Sequence, residues 1–97
     1  MAMALELFFH HEASPYVRKV LLLIHELDAP VRERRVDMSS SDAMAEYRRL
    51  NPNAKFPTLR DDSLVLFESN AILGHLARRF GAPHWAGVDV PGVAIVQ

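Results

Sequence analysis

Cysteine is absent from the 97-residue chain. That excludes disulfides, thiolate metal sites and cysteine nucleophiles, and it fits a reducing compartment. A dominant charge is also missing. Eleven Lys and Arg residues stand against twelve Asp and Glu, for a formal net charge of -1. The basic residues fall in small scattered groups (Arg18-Lys19, Arg32-Arg34-Arg35, Arg48-Arg49, Arg78-Arg79) that read as solvated faces of separate elements. This balance calls for no nucleic-acid partner. Long apolar runs are lacking too. The stretch from Val20 to Ile24 is far too short to span a bilayer, so no membrane association is expected. Residues Met1 to Glu6 lack the basic start and extended apolar core of a secretory signal, and the expected location is cytoplasmic. The histidines (His10, His11, His25, His75, His84) form no helical i,i+4 pair, so no metal site is expected. There is no internal repeat and no low-complexity segment.

What is present is one domain's worth of alternating strand and helix signals. Leu5 to Phe9 reads as a strand. Ser14-Pro15 is a helix start, a hydroxyl N-cap followed by proline at the first helical position. Val17, Val20, Leu21, Ile24 and Leu27 then form one apolar face, and Asp28-Ala29-Pro30 ends the helix. Val31 to Val36 is a short strand. Asp42 to Leu50 is a short helix with Met44, Tyr47 and Leu50 on one side, broken by Asn51-Pro52-Asn53. A strand beginning at Phe56, a turn at Asp61-Asp62 and a strand from Leu64 to Phe67 form a hairpin. Glu68-Ser69-Asn70 caps a final helix from about Ala71 to Phe80, and Gly81 sits at the C′ position. The order is β-α-β, a short helix, then β-β-α. Its natural closure is an α/β domain over residues 1–81, a four-stranded mixed sheet with helices on both faces. Residues 82–97 form a separate, non-helical apolar tail containing Trp85 and Val93 to Val96.

Three features converge on one end of the expected sheet. Ser14 stands at a helix N-terminus, whose free N–H groups and partial positive charge stabilise anions, thiolates included. Taken alone, it reads first as a plain N-cap, since serine caps are commonplace. Phe56-Pro57 enters a strand. A cis bond there would turn the Phe56 backbone outward to pair with an extended peptide, although trans is the default for an X–Pro bond. Glu68-Ser69 opens the last helix, where Ser69 and the neighbouring N–H groups suit a carboxylate and Glu68 an ammonium. Simple capping is again the bland reading. Together the three suit a short peptide with a central thiol and an amino-acid group at one end. Lys55, beside Phe56, would meet a carboxylate at the other end.

The segments His11 to Val20 (HEASPYVRKV), Asn51 to Leu59 (NPNAKFPTL) and Leu66 to Ile72 (LFESNAI) resemble those of glutathione S-transferases, in the same order and register. The resemblance runs from about Leu5 to Gly81. It implies a thioredoxin-like fold, glutathione as co-substrate, and an oligomer, commonly a dimer. By the same resemblance, Ser14 is the activating serine that lowers the glutathione thiol pKa. Pro57 is cis and Phe56 binds the cysteinyl backbone. Glu68 and Ser69 hold the γ-glutamyl end, and Lys55 contacts the glycyl end. Two departures stand out: Asp37 to Ala45 carries no cation where the family has a basic residue, and Phe56 is bulkier than the usual valine or isoleucine. A helical second domain is not seen up to Gln97. Apolar surface on the first and last helices is therefore expected to be covered by the tail, a second copy or another protein. Two functions follow: a transferase that activates glutathione, or a non-catalytic glutathione- or protein-binding module, which includes a piece of a longer transferase. A glutaredoxin-like reading of Ser14-Pro15-Tyr16-Val17 fails, because dithiol exchange needs cysteine.

Overall fold

The computed structural model of the protein describes residues 5–81. The tail expected over 82–97 lies outside the described residues. The elements run β1 (Leu5–Phe9), α1 (Pro15–Leu27), β2 (Arg32–Arg35), α2 (Ser41–Leu50), β3 (Thr58–Asp61), β4 (Leu64–Leu66) and α3 (Ser69–Phe80). The strands form one mixed sheet in the order β2-β1-β3-β4. β1 and β2 are parallel, with Leu7 opposite Glu33. β1 and β3 are antiparallel, with Leu7 opposite Leu59. β3 and β4 close the hairpin.

Alternation along β1 divides the molecule into two faces. Leu5, Leu7 and Phe9 point to a core completed by Val17, Val20 and Ile24 of α1 and by Ile72, Leu73 and Leu76 of α3. Both helices present these residues at helical spacing, so α1 and α3 pack side by side on that face. Glu6 and Phe8 point the other way. Glu6 is only 7% exposed yet charged, and it is held by Arg34 of β2 and Arg60 of β3. A buried carboxylate of this kind requires such partners. Phe8 lies beneath both guanidinium groups, 5.8 Å from Arg34 and 5.4 Å from Arg60, and its ring centroid is 6.2 Å from that of Tyr47 on α2.

The element boundaries differ from the sequence expectations by small, explicable amounts. β2 is confined to its four charged residues, and all four are exposed. Val31 and Val36 flank it, with the Val36 N–H donating to the Phe9 carbonyl at 2.7 Å. β3 starts at Thr58, not Phe56, because Pro57 has no N–H to give the ladder. α3 starts at Ser69 because the Glu68 carbonyl already accepts from the Ile72 N–H at 2.9 Å. Gly81 closes α3 in an extended conformation (φ -71°, ψ 156°), not a left-handed one. The left-handed cap is found instead on α1, at Asp28 (φ 50°, ψ 41°), whose N–H reaches the carbonyls of Ile24 and His25.

Several large apolar side chains remain exposed, among them Tyr16 and Leu22 on α1 and Phe67 after β4. Among the described residues, no helix is long and apolar enough to cross a membrane.

Candidate functional site

A cleft of about 570 Å³ gathers residues from three separate parts of the chain. The turn before β3 contributes Lys55, Phe56 and Pro57. The segment after β4 and the first turn of α3 contribute Phe67, Glu68, Ser69 and Asn70. The start of α1 contributes Tyr16 and Lys19. Five of the six site residues selected from sequence therefore line one cavity. The sixth, Ser14, is not among the lining residues. It occupies the N-cap of α1, two positions before Tyr16. A smaller cleft of about 350 Å³ lies on the opposite side of the sheet, between α2 and the strands, and none of the selected residues lines it.

Local geometry leaves the side chains of Ser14 and Glu68 out of helix capping. Ser14 has the extended backbone of an N-cap (φ -62°, ψ 128°), but its hydroxyl makes no capping hydrogen bond. The loop before it is ordered by backbone and by His11. The Ser14 N–H donates to the His11 carbonyl at 3.3 Å, and the Ala13 N–H donates to the His11 Nδ1 at 2.9 Å. The bland reading of Ser14 as a side-chain cap thus does not describe it, because Pro15 and the loop set the helix start without the hydroxyl. Glu68 likewise caps α3 through its backbone alone, and its side chain makes no capping bond. Ser69 is buried at the first position of α3, where the leading N–H groups have no acceptor within the helix.

The Phe56–Pro57 peptide bond is cis. Around it lies a polar and aromatic frame built from α2 and its C-cap. The Tyr47 hydroxyl donates to the Lys55 carbonyl at 2.6 Å and lies 2.5 Å from Thr58 Oγ1. The Asn51 amide donates to the same two groups, at 3.1 and 3.2 Å. The Phe56 ring is sandwiched between Tyr47 (centroids 4.4 Å, planes 9° apart) and His10 (4.6 Å, 26°). Burial pushes the Tyr47 phenol above its ordinary value, against the opposing influence of the neighbouring Thr58 and Asn51 side chains, so it acts as a neutral hydroxyl.

Sequence reasoning missed Lys19, Phe67 and Asn70. Lys19 Nζ donates to Asn70 Oδ1 at 2.9 Å and lies 5.7 Å from the Tyr16 ring centroid, so it ties the starts of α1 and α3 together across the cleft. The available signal was helical spacing. Lys19 follows Tyr16 by three positions and shares its face. Asn70 simply follows Ser69. Arg18, between Tyr16 and Lys19 in sequence, is not among the cleft residues, and neither is His11.

The profile of the family described as "Glutathione S-transferase, N-terminal domain" matches residues 8–84, most of the chain. The chain belongs to the glutathione S-transferase family. Among curated relatives, it is 32% identical to glutathione S-transferase theta-1 of Bos taurus over 97 residues, covering 98% of this chain and 40% of the relative. Among solved structures, human glutathione transferase theta-2, in complex with glutathione and an unknown ligand, superposes with a TM-score of 0.72 at 32% identity. That match covers 82% of this chain and 33% of the other. The human theta-class transferase bound to the glutathione conjugate of 1-menaphthyl sulfate gives the same TM-score and identity, over 84% and 33%. The four-stranded mixed sheet with its three helices is the thioredoxin-like fold of these glutathione S-transferases. The chain spans about a third to two-fifths of the length of these proteins.

Proposed function

We propose that this chain binds glutathione along the larger cleft and holds its thiol as the thiolate, ready to attack an electrophile. The carrying observation is the convergence of Lys55, Phe56, Pro57, Glu68 and Ser69 on one cavity, although the two segments are separated by the β3–β4 hairpin. In this reading the γ-glutamyl carboxylate meets Ser69 and the N–H groups at the start of α3, and its ammonium meets Glu68. The cysteinyl backbone pairs with that of Phe56, and the glycyl carboxylate faces Lys55. Ser14 is a hydrogen-bond donor and not a nucleophile. Its hydroxyl and the N-terminus of α1 stabilise the thiolate as the proton leaves to solvent. The sulfur then forms a bond to the electrophilic carbon as the leaving group departs.

That Ser14 does not line the larger cleft favours a second reading, in which the domain binds glutathione without turnover. A calorimetric titration with glutathione, repeated on Glu68→Gln and Ser69→Ala, tests the shared part of both readings. Each change is expected to weaken binding by about ten- to a hundredfold, since a hydrogen bond to a charged group is worth roughly 1.5–3 kcal/mol. Conjugation of a generic electrophile, present in the parent chain and lost in Ser14→Ala, separates enzyme from module. Exposed Tyr16, Leu22 and Phe67 further support a role in assembly with a second copy or a helical partner domain. Sedimentation velocity is expected to show a species heavier than one chain, and a strictly monomeric protein sinks that part of the proposal.

A further inference from the structure

We infer that Tyr47 is a positioning residue of the glutathione cleft, acting from outside it by fixing where the Phe56 backbone stands. The inference rests on the glutathione reading above and names a group that the reading does not use. Tyr47 is buried on α2 and does not line the cleft, yet it meets three consecutive parts of the segment that does. Its hydroxyl donates to the Lys55 carbonyl at 2.6 Å, before Phe56. The same oxygen meets Thr58 Oγ1 at 2.5 Å, after Pro57. Its ring lies flat on the Phe56 ring at 4.4 Å.

The proton count closes. Asn51 spends its two amide hydrogens on Lys55 O and Thr58 Oγ1. Tyr47 gives its single proton to Lys55 O, and Thr58 returns its own to the Tyr47 oxygen. Each hydroxyl is thereby used as both donor and acceptor inside a buried network, where partial satisfaction is costly. Removing the Tyr47 oxygen leaves the Lys55 carbonyl with Asn51 and strands the Thr58 hydroxyl near a longer, 3.5 Å contact to that carbonyl. The loop is then pinned on one side only. A hydrogen-bond pair formed by the Phe56 backbone needs its N–H and C=O held within a few tenths of an ångström. The bulk of Phe56 also acquires a role here, because the ring is the handle by which α2 and His10 hold the loop from both sides.

The test is an NMR titration of the full chain with glutathione, comparing the parent with Tyr47→Phe, which keeps the ring and loses only the oxygen. The parent is expected to show ligand-induced shifts at the amides of both Phe56 and Ser69. In Tyr47→Phe, the dissociation constant is expected to rise about three- to tenfold. At saturation the Ser69 shift is retained and the Phe56 shift is diminished. Thr58→Val, which removes the other hydroxyl, is expected to give the same pattern and decides the matter if Tyr47→Phe does not fold. An affinity loss below threefold, or equal loss of both shifts as general loosening would give, overturns the inference and leaves the glutathione reading standing. A parent chain that shows no shift with glutathione overturns both.

Discussion

Ser14 shows how much a single residue's environment alters its reading. Its sequence context, a hydroxyl before proline, is the common signature of a capped helix. In the structure the hydroxyl caps nothing, so it remains able to donate to a ligand. If it stabilises a bound thiolate, Ser14→Ala removes one charge-assisted hydrogen bond worth roughly 1.5–3 kcal/mol. That corresponds to a rise of about one to two units in the thiol pKa of bound glutathione. Thiolate absorbance followed against pH in the complex measures this directly, and an unchanged titration excludes Ser14 from the chemistry. The residues that sequence singled out were visible because each sits in a local pattern: Ser14-Pro15, Lys55-Phe56-Pro57, Glu68-Ser69. Lys19, Asn70 and Tyr47 were placed on their helices by spacing or capping, but nothing local named their partners. Lys19 and Asn70 meet across 51 positions, and Tyr47 reaches Lys55 only because α2 folds back over the sheet. Contacts of that kind are made by tertiary packing, and neither propensity nor spacing within a segment encodes them.

The number, order and type of the elements were legible because each carries its own period and punctuation. Proline at the start of α1, the Asn51-Pro52 break and the apolar spacing of α1 and α3 were sufficient. The ends were less so, because termini are decided by single hydrogen bonds. β3 loses its expected first two residues to Pro57, and α3 gains Ser69 and Asn70 through one carbonyl of Glu68. Gly81 caps α3 in an extended conformation, and the left-handed cap is found on α1, at Asp28 with φ 50°. An L-residue in that region carries a steric cost that glycine avoids. Asp28 is exposed, and its N–H already serves the Ile24 and His25 carbonyls. Asp28→Gly is therefore expected to preserve the cap and stabilise the fold by about 0.5–1 kcal/mol, a left-handed cost of roughly 1–2 kcal/mol less the added unfolded-chain entropy of glycine, roughly 0.4–1 kcal/mol. Urea denaturation gives the value, and a destabilised variant would mean that the Asp28 side chain contributes more to the cap than its backbone strain costs.

Across the whole molecule, two carboxylates tie elements together from outside the apolar core. Glu6 binds Arg60 and Arg34, so one residue of β1 links both neighbouring strands on the polar face of the sheet. Asp61 at the end of β3 binds His75 and Arg79 and links the sheet to α3. The hydrogen bond from Arg60 is the largest influence on Glu6, and with Arg34 it outweighs burial and holds the carboxyl below its ordinary 4.5. Burial acts most strongly on Asp61 and in the raising direction, yet the bonds from His75 and Arg79 together hold it below 3.8. A carboxyl whose folded value is depressed adds stability that is complete above the unfolded value and disappears as pH falls through the folded one. Stability is therefore expected to hold down to about pH 4.5 and to fall steadily below it, as Glu6 and Asp61 take up protons. Glu6→Gln isolates the first of these steps. It leaves Arg34 and Arg60 facing a neutral amide in a site only 7% exposed, so stability at pH 7 is expected to drop by about 1–3 kcal/mol. As pH falls through its lowered folded value the parent loses the same charge, so the gap between the two proteins should narrow with acidification. Urea midpoints at pH 7 and pH 3 test this. A gap between parent and variant that stays constant with pH would show that Glu6 acts through its shape and not through its charge.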